Sequence, residues 1–332
     1  QSRVMPSAEA LKLAGLDELR LSYKEALSLI NGTSYSVAVA SLGVWDSYKL
    51  LKAALVVMAL MIEASRAGSA PLSIEANSAK LHRGELEVAR VISELLADSK
   101  NVNTSGRVQD PYSIRCIPQV LGSMLDALSW ALRNVLNEAN SVSDNPVIIN
   151  NSVYSTCHFH GQYIALSTDL LNMSLIVLGN LIERQIAQLL RKEINGISNY
   201  LANGPWRVGL MLTQYTAAAL SAKLRELAVP STVQNIPTSG FQEDVNSMSA
   251  NSAMKLHEVN SLIAQLIAIL AYDAYVVANA NNACRNCGKT TTRVYDIISK
   301  YVSGAQSHNE AITRLVNAID ELSSLVDLRI SP

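Results

Sequence analysis

The sequence of 332 residues is poor in charge and in aromatic side chains. Charged residues make up 17% of it and aromatic residues 5%, with only two phenylalanines. Lysine and arginine number 27 against 28 for aspartate and glutamate, so the formal net charge is −1, and no long run of either sign occurs. This balance argues against nucleic acid or an acidic membrane surface as the main partner.

Cysteine is scarce as well. The 4 cysteines are too few for a disulfide scaffold in a chain of this length. Cys284 and Cys287 form one C-x-x-C pair, but without a second pair or a βαβ pattern neither a zinc site nor a thioredoxin-type centre is supported. Cys157, His158 and His160 lack the spacing of structural zinc ligands, so we predict no bound metal.

Long uninterrupted apolar segments are also lacking. The run 53–62 is short, and the run 262–280 contains Gln265 and Asp273, whereas a bilayer span needs about 20 apolar residues. We therefore expect buried helices and no membrane partner. No cationic leader with an apolar stretch opens the sequence, from which we predict a cytoplasmic protein.

What the sequence has instead is helical periodicity. Apolar spacing and stop signals predict helices at 37–67, 85–96, 118–140, 162–191, 209–227, 243–279 and 309–325, and a hairpin at 147–154. Other strand signals are nearly absent, and 49% of the residues are hydrophobic. The prediction is an all-α bundle of long helices. Since no repeat or linker divides the chain, residues 1–332 are expected to form a single helical body.

Three loops between these helices concentrate polar and aromatic groups. In the first, 109–115, Pro111 suits the first position of a short helical turn with Asp110 as its N-cap. Tyr112 and Arg115 then share one face of that turn. A phenol beside a guanidinium fork suits a small carboxylate, while a capped helix start with a surface ion pair is the plain structural alternative.

The other two loops, 155–162 and 237–244, contain the two phenylalanines, Phe159 and Phe241, which favours an aromatic-lined pocket. Glu243 in the third loop has two interpretations. It is either a functional acid or an acid in the first turn of the following helix, where it would offset the helix dipole. The residues alone leave both open.

Five motifs carry a resemblance to a known family. They are LINGTS at 29–34, VQDPYSIRC at 108–116, EANSVSDNP at 138–146, HFHGQ at 158–162 and PTSGFQEDVNSMS at 237–249. MPSAEALKLAGL at 5–16 extends the match. In this order they resemble histidine ammonia-lyase and its aromatic ammonia-lyase relatives over nearly the whole chain. Each motif is weak by itself, but five in register are specific.

The resemblance implies a long-helix bundle that assembles as a homotetramer, with each active site built from three subunits. Such enzymes remove ammonia from an aromatic amino acid to leave an α,β-unsaturated acid, and histidine gives urocanate. Their electrophile is a methylidene-imidazolone formed from an internal Ala-Ser-Gly. It captures the amino group while a base takes a β-proton.

The same resemblance implies roles for residues of the first two motifs. Arg115 matches the clamp for the substrate carboxylate, and Gln109 is expected to help hold the substrate. Tyr112 matches the catalytic phenol beside the electrophile. Asn31 is expected to bond near both the carboxylate and the prosthetic group.

Residues of the later motifs are expected to contact the substrate side chain. Phe159 would pack on the ring, and Glu243 would face it as the second catalytic residue, where an acid suits an imidazole and so favours histidine. His158 is a departure, because the family usually has asparagine before this phenylalanine. Its effect on substrate choice is open, as is the role of the C-x-x-C pair.

A larger departure is an absence. No Ala-Ser-Gly occurs in the 332 residues, and the resemblance begins just downstream of the family's triad. We therefore expect this chain to be the C-terminal two thirds of such an enzyme. The missing N-terminal part would be its partner and the source of the methylidene-imidazolone, and the chain by itself is not expected to catalyse the reaction.

Other functions compete with this reading. A tyrosine or phenylalanine ammonia-lyase, or an aminomutase that returns ammonia to the β-carbon, shares the same loops. The fumarase and argininosuccinate-lyase group also consists of long-helix tetramers, but its Gly-Ser-Ser-x-Met-Pro-type loop is absent here. A non-catalytic paralogue would have no need to keep Tyr112, Arg115 and Glu243 together.

Overall fold

Helices make up most of the computed structural model, which describes residues 3–202, 204 and 207–330. In this described part the α-helices are α1 Ser7–Leu13, α2 Glu25–Ile30, α3 Ser34–Ser65, α4 Ile74–Asn77, α5 Arg83–Leu96, α6 Tyr112–Arg115, α7 Ile117–Ala139, α8 Gln162–Leu189, α9 Lys192–Asn195, α10 Met211–Glu226, α11 Ser249–Ala280, α12 Lys289–Val302, α13 His308–Val316 and α14 Ile319–Ser323. Strands β1 Val147–Ile149 and β2 Ser152–Tyr154 pair antiparallel. The predicted all-α bundle is confirmed.

Four long helices, α3, α7, α8 and α11, form the centre of the bundle. Helix α11 packs along both α3 and α8, and α7 packs against α8 and α5. Every residue in 53–62 of α3 is buried, which explains why this segment is apolar on all sides. Buried hydrophobic side chains from all four helices belong to one cluster.

Two of these helices, α8 and α11, are long and apolar enough to cross a membrane by length and composition alone. In their most apolar 18-residue windows, 61% of the α8 residues and 72% of the α11 residues are buried inside the bundle. Burial against neighbouring helices accounts for this apolar composition, because a helix surrounded by other helices has little need of a polar face.

The predicted hairpin at 147–154 is present, with Val147 opposite Tyr154. Its two-residue turn consists of Asn150 and Asn151, whose φ angles are both positive, 49° and 62°. A type I′ turn requires this conformation, and asparagine tolerates it better than most residues do. The turn chemistry therefore explains how such a short strand pair forms between α7 and α8.

Two helix predictions need correction. The helix expected at 243–279 begins at Ser249, so Glu243 lies outside its first turn, where the helix dipole acts. The dipole interpretation of Glu243 is therefore wrong. The segment 289–302, for which no helix was predicted, forms α12, and the helix expected at 309–325 is divided into α13 and α14.

A buried carboxylate near the end of α3 holds two distant segments. Glu63 is 0% exposed, and its Oε1 accepts hydrogen bonds from the Gly288 amide and the Thr291 hydroxyl, both at 2.8 Å. Its Oε2 accepts from the Ser99 hydroxyl at 2.6 Å and from Nδ2 of Asn101 at 2.8 Å. These donors satisfy both oxygens, so the start of α12 and the 99–101 loop are fixed to α3.

The Glu63→Gln variant should lose about 2–4 kcal/mol of unfolding free energy. Each carboxylate oxygen faces one N–H group, so an NH2 in either position meets a donor and leaves buried groups unpaired. Urea unfolding of the assembled protein measures the loss. Glu94→Gln is the matched control, because Glu94 is 62% exposed and, among the described residues, pairs only with Arg90 on the surface of α5. Equal midpoints for the two variants would contradict this account of Glu63.

Candidate active site

Helix α6 forms the predicted isolated helical turn, but Asp110 does not cap it. Pro111 directly precedes the first helical residue. The Asp110 carboxylate accepts a hydrogen bond from the Gly68 amide at 2.7 Å and pairs with the Arg107 guanidinium at 2.6 Å. The predicted N-cap role of Asp110 is wrong, because this buried carboxylate binds the Gly68 amide beyond the end of α3 and the Arg107 guanidinium instead of the amides of α6.

The turn brings three predicted site residues together. The Arg115 guanidinium donates from Nη1 to Oε1 of Gln109 at 3.0 Å. It lies 5.7 Å from the centre of the Tyr112 ring, within the range of a cation–π interaction. Arg115 is half-buried, and no carboxylate pairs with it in the described part of the chain. Such a guanidinium is suited to binding the carboxylate of an external molecule.

Helix α8 fixes this turn in place. Gln185 donates from Nε2 to the Ser113 carbonyl at 2.8 Å, in a buried position. Ser113 and Ile114 face inward and are buried, whereas Tyr112 remains 76% exposed. Burial of the two middle residues of the turn therefore explains why the phenol and the guanidinium lie together on its outer side.

Asn31 lies in the loop between α2 and α3, and its side-chain amide has no hydrogen-bond partner within the described ranges. The neighbouring Thr33 donates to Oε1 of Glu138 at 2.8 Å. Ser28 donates to Oδ2 of Asp144 at 2.5 Å. The motif at 29–34 is thus docked on the motif at 138–146, at the end of α7, and Asn31 keeps a free amide.

A cavity of about 770 Å³ opens beside this loop. The residues that line it come from the segment before α2, the end of α7, β1 and the start of α8: Lys24, Glu138, Ser141, Val142, Val147, Ile148, Ile149, Cys157, His158, His160 and Tyr163. Phe159 is half-buried and lies between His158 and His160 in the sequence. Glu138 and Tyr163 were given no site role from the sequence, because each follows the ordinary pattern of its helix and only the tertiary contacts place it in the cavity.

Glu243 lies on a tight turn that Thr238 closes. The Thr238 amide donates to the Glu243 carbonyl at 3.0 Å, and the Thr238 hydroxyl donates to Oε2 of Glu243 at 2.7 Å. Hydrogen bonds from the hydroxyls of Thr238 and Ser239 hold the pKa of Glu243 below its ordinary value. Gly240 at the tip has a φ of 64°, a conformation that glycine adopts without strain. The carboxylate is therefore exposed and remains ionised at neutral pH.

The loop of Glu243 and the loop of Phe159 meet where α8 begins. Nε2 of His160 bonds to the Val245 carbonyl at 3.1 Å. Nε2 of Gln162 donates to the Thr232 hydroxyl at 2.6 Å. These contacts bring the second and third motif loops into one surface.

The six predicted site residues form two groups. The arginine group consists of Gln109, Tyr112 and Arg115. The glutamate group consists of Asn31, Phe159 and Glu243. The arginine group adjoins Gln185 near the end of α8, and the glutamate group adjoins Gln162 at its start. At a rise of 1.5 Å per residue these two points of α8 lie roughly 35 Å apart. One chain does not bring the six residues into a single site.

Cys284 and Cys287 lie between α11 and α12 with their Sγ atoms 3.6 Å apart. The hydrogen bond that the Cys287 thiol donates to Cys284, together with burial and the nearby Glu63 carboxylate, raises the pKa of Cys287. Asn101 also donates to this sulfur, at 3.7 Å. Among the described residues, no three His, Cys, Asp or Glu side chains are grouped as metal ligands would be.

A bundle of long helices that displays a phenol and a guanidinium on one short turn and a carboxylate on a separate loop matches the fold of solved ammonia-lyases and aminomutases. A model of the aromatic amino acid lyase family matches residues 1–300, and the chain belongs to this family.

Two of the similar proteins are named as histidine ammonia-lyases and one as a tyrosine aminomutase. A histidine ammonia-lyase from Treponema denticola is 33% identical over 98% of this chain and 65% of its own length. A probable histidine ammonia-lyase from Thermoplasma volcanium is 39% identical over 80% of this chain and 54% of its own length. The crystal structure of a tyrosine aminomutase from Streptomyces globisporus matches with a TM-score of 0.92 at 27% identity, covering 99% of this chain and 69% of that one. The chain thus spans somewhat less than two thirds of the length of the two curated relatives.

Replacing Thr238 by Val should raise the pKa of Glu243 toward the ordinary glutamate value near 4.3, because the hydroxyl that stabilises the charged form is removed. Thr238→Ser keeps the donor and should leave the pKa low. Carboxyl ¹³C NMR titration measures both. Since the folded-state pKa is lowered, the contact stabilises the loop above the ordinary pKa and is lost as the pH falls through the lowered one. Identical titration of the Val and Ser variants would contradict this.

Proposed function

We propose that this chain is part of an ammonia-lyase that removes ammonia from L-histidine to give urocanate. The observation that carries the proposal is the half-buried Arg115, held by Gln109 over the Tyr112 ring without a carboxylate partner in the described part of the chain. An amino acid substrate supplies the carboxylate that this guanidinium lacks. The proposed contact between the Arg115 guanidinium and the substrate carboxylate fixes the position of the substrate α-carbon.

Tyr112 and Glu243 are the proposed catalytic residues. The exposed Tyr112 phenol, next to the Arg115 charge, is placed to move a proton close to the bound carboxylate. The ionised Glu243 carboxylate accepts a hydrogen bond from an imidazole N–H of the substrate, while Phe159 packs against the ring. A phenyl ring has no N–H group for this carboxylate, so Glu243 favours histidine.

The reaction also needs an electrophile, which we propose comes from an Ala-Ser-Gly outside this sequence, in an N-terminal part of the same enzyme. The methylidene-imidazolone formed from it supplies electrophilic capture of the amino group. Asn31 fits the position of a residue that holds such a group, because its amide is free and the 770 Å³ cavity opens beside its loop. In this proposal the residues of this chain bind and orient the substrate, and they exclude water around the prosthetic group.

We further propose that each site is shared between copies of the chain, in a homotetramer. The arginine group and the glutamate group lie too far apart within one chain, so a complete site needs groups from different copies. Helix α8 also carries an exposed apolar stripe at steps of three and four, typical of a helix–helix contact. Its members are Tyr163, Leu166, Leu170, Met173 and Val177.

A tyrosine or phenylalanine ammonia-lyase or aminomutase is the second candidate. The similarity to the tyrosine aminomutase structure, with a TM-score of 0.92, favours it. The higher identity to the two relatives named as histidine ammonia-lyases, 33% and 39%, and the presence of Glu243 favour histidine. The cytoplasmic location expected from the sequence stays a prediction.

The substrate is tested with the enzyme that includes the electrophile-bearing part. Histidine should give urocanate, followed by its ultraviolet absorbance, and tyrosine and phenylalanine should give at most slow turnover. Arg115→Lys should lower kcat/KM for histidine by about 100-fold, because a point charge does not replace two parallel N–H donors. Conversion of tyrosine or phenylalanine in place of histidine, or release of a β-amino acid, would refute the proposed substrate or reaction.

Mixed assemblies test whether sites are shared. The Tyr112→Phe and Glu243→Gln variants should each be inactive alone. Co-assembly of the two should restore about a quarter of the activity, because random mixing combines an intact arginine group with an intact glutamate group in about a quarter of the sites. Tyr112→Phe mixed with Arg115→Lys is the control. Both changes lie in the arginine group, so no site regains it intact. Recovery in neither mixture would contradict the shared site.

A further inference from the structure

An open cleft of about 420 Å³ lies between the start of α5, the middle of α7 and the C-terminal segment. It is separate from both groups of site residues. The lining comes from one face of α7, with Asp126, Ser129, Trp130 and Arg133 among its members, and from the first turn of α5. Its volume is in the range of pockets that take small molecules.

The cleft concentrates positive charge in a chain whose formal net charge is −1. Three guanidinium groups line it, those of Arg83, Arg133 and Arg329. None of the three forms an ion pair with a carboxylate among residues 3–202, 204 and 207–330. All three arginines are exposed at the rim of the cleft, and an anion bound between them would be stabilised by their charges.

The two acids in the cleft neutralise these groups only in part. Glu87 pairs with Arg90, which lies outside the lining, at 2.6 Å; it also accepts the Arg329 backbone amide at 2.8 Å and is attracted by the Arg329 charge. Asp126 accepts the Gly84 amide at 3.1 Å. Three guanidinium groups therefore face two carboxylates, one of which is shared with Arg90.

The floor of the cleft is rigid. A Cβ on Gly84 would lie 2.2 Å from the Gly122 carbonyl oxygen, so α5 and α7 approach as closely as two backbones allow. Beside the charges, the indole of Trp130 and the side chains of Leu86 and Leu125 form an apolar wall. The cleft thus offers guanidinium forks next to a flat aromatic surface on a scaffold that does not need to move.

We propose that this cleft binds a phosphate ester with a planar ring, such as a nucleotide. Guanidinium groups match phosphate oxygens with two parallel N–H donors, and several of them suit an anion with more than one charge. An aromatic side chain next to a phosphate site stacks on a ring with an energy of about 1–3 kcal/mol. This site is independent of the proposed lyase reaction, so either proposal can fail without the other.

ADP is the probe, titrated into the assembled protein by calorimetry, with Trp130 fluorescence as a second readout. We expect saturable binding of one ADP per chain, with quenching that is lost in Trp130→Phe. Arg133→Gln and Arg83→Gln should each weaken binding about tenfold, the cost of one charge-assisted hydrogen-bond pair. Inorganic pyrophosphate, which lacks the ring, should bind more weakly than ADP.

Arg293→Gln is the matched control, because Arg293 on α12 is exposed, lies outside the cleft and carries the same charge. It should leave ADP affinity unchanged. Absence of saturable binding would overturn the proposal, and so would an equal loss of affinity in Arg293→Gln and Arg133→Gln, which would indicate nonspecific attraction. Pyrophosphate binding as tight as that of ADP would overturn the part of the proposal that assigns a ring.

Discussion

The length of the central helices is the constraint on which the arrangement of the site depends. Helices α3, α8 and α11 run in the same direction, so their starts share one end of the bundle. Along α3 and α11 the contacts advance together from Tyr35–Met254 to Ser47–Asn260, and along α8 and α11 they advance from Thr168–Ser252 to Gly179–Ile263. Loops at the two ends are separated by roughly 35 Å because an α-helix rises 1.5 Å per residue. No rearrangement of a loop spans that distance. The glutamate group and the arginine group of one chain therefore do not meet, which is the physical basis of the proposal that copies of the chain share each site.

Buried carboxylates hold the helix ends and so place each half. Glu63 binds four donors around the end of α3, and Asp110, two residues before Tyr112, binds the Gly68 amide just beyond it. At the other end of the bundle, Oδ2 of Asp144 accepts hydrogen bonds from Lys24 and Ser28. Each of the three carboxylates joins segments that are distant in sequence, at a desolvation cost that several hydrogen bonds offset. These acids position the site without taking part in its proposed chemistry.

Local sequence rules predicted what local interactions decide. The long helices follow from apolar periodicity, the hairpin from its β-branched strands, and the shared face of Tyr112 and Arg115 from their spacing within one helical turn. The rules failed at Asp110 and Glu243, where residues typical of helix starts serve other contacts. They also did not predict the separation of the arginine group from the glutamate group, because the order of motifs along the chain carries no information about distance across a bundle.

Arg115 differs from the arginines that form ion pairs in the described part of the chain. Most arginines that touch a carboxylate here do so in short local pairs, such as Arg90 with Glu87 and Glu94. Arg115 departs from that pattern within the described chain, because it is half-buried, lacks a carboxylate partner and lies over the Tyr112 ring. The three arginines of the α5–α7 cleft are exposed and share that cleft with Trp130. A guanidinium is never neutral at physiological pH, so its partial burial without an acid costs free energy that a bound anion offsets. The proposed substrate clamp therefore depends on the burial of one guanidinium, whereas the proposed phosphate cleft depends on the grouping of three.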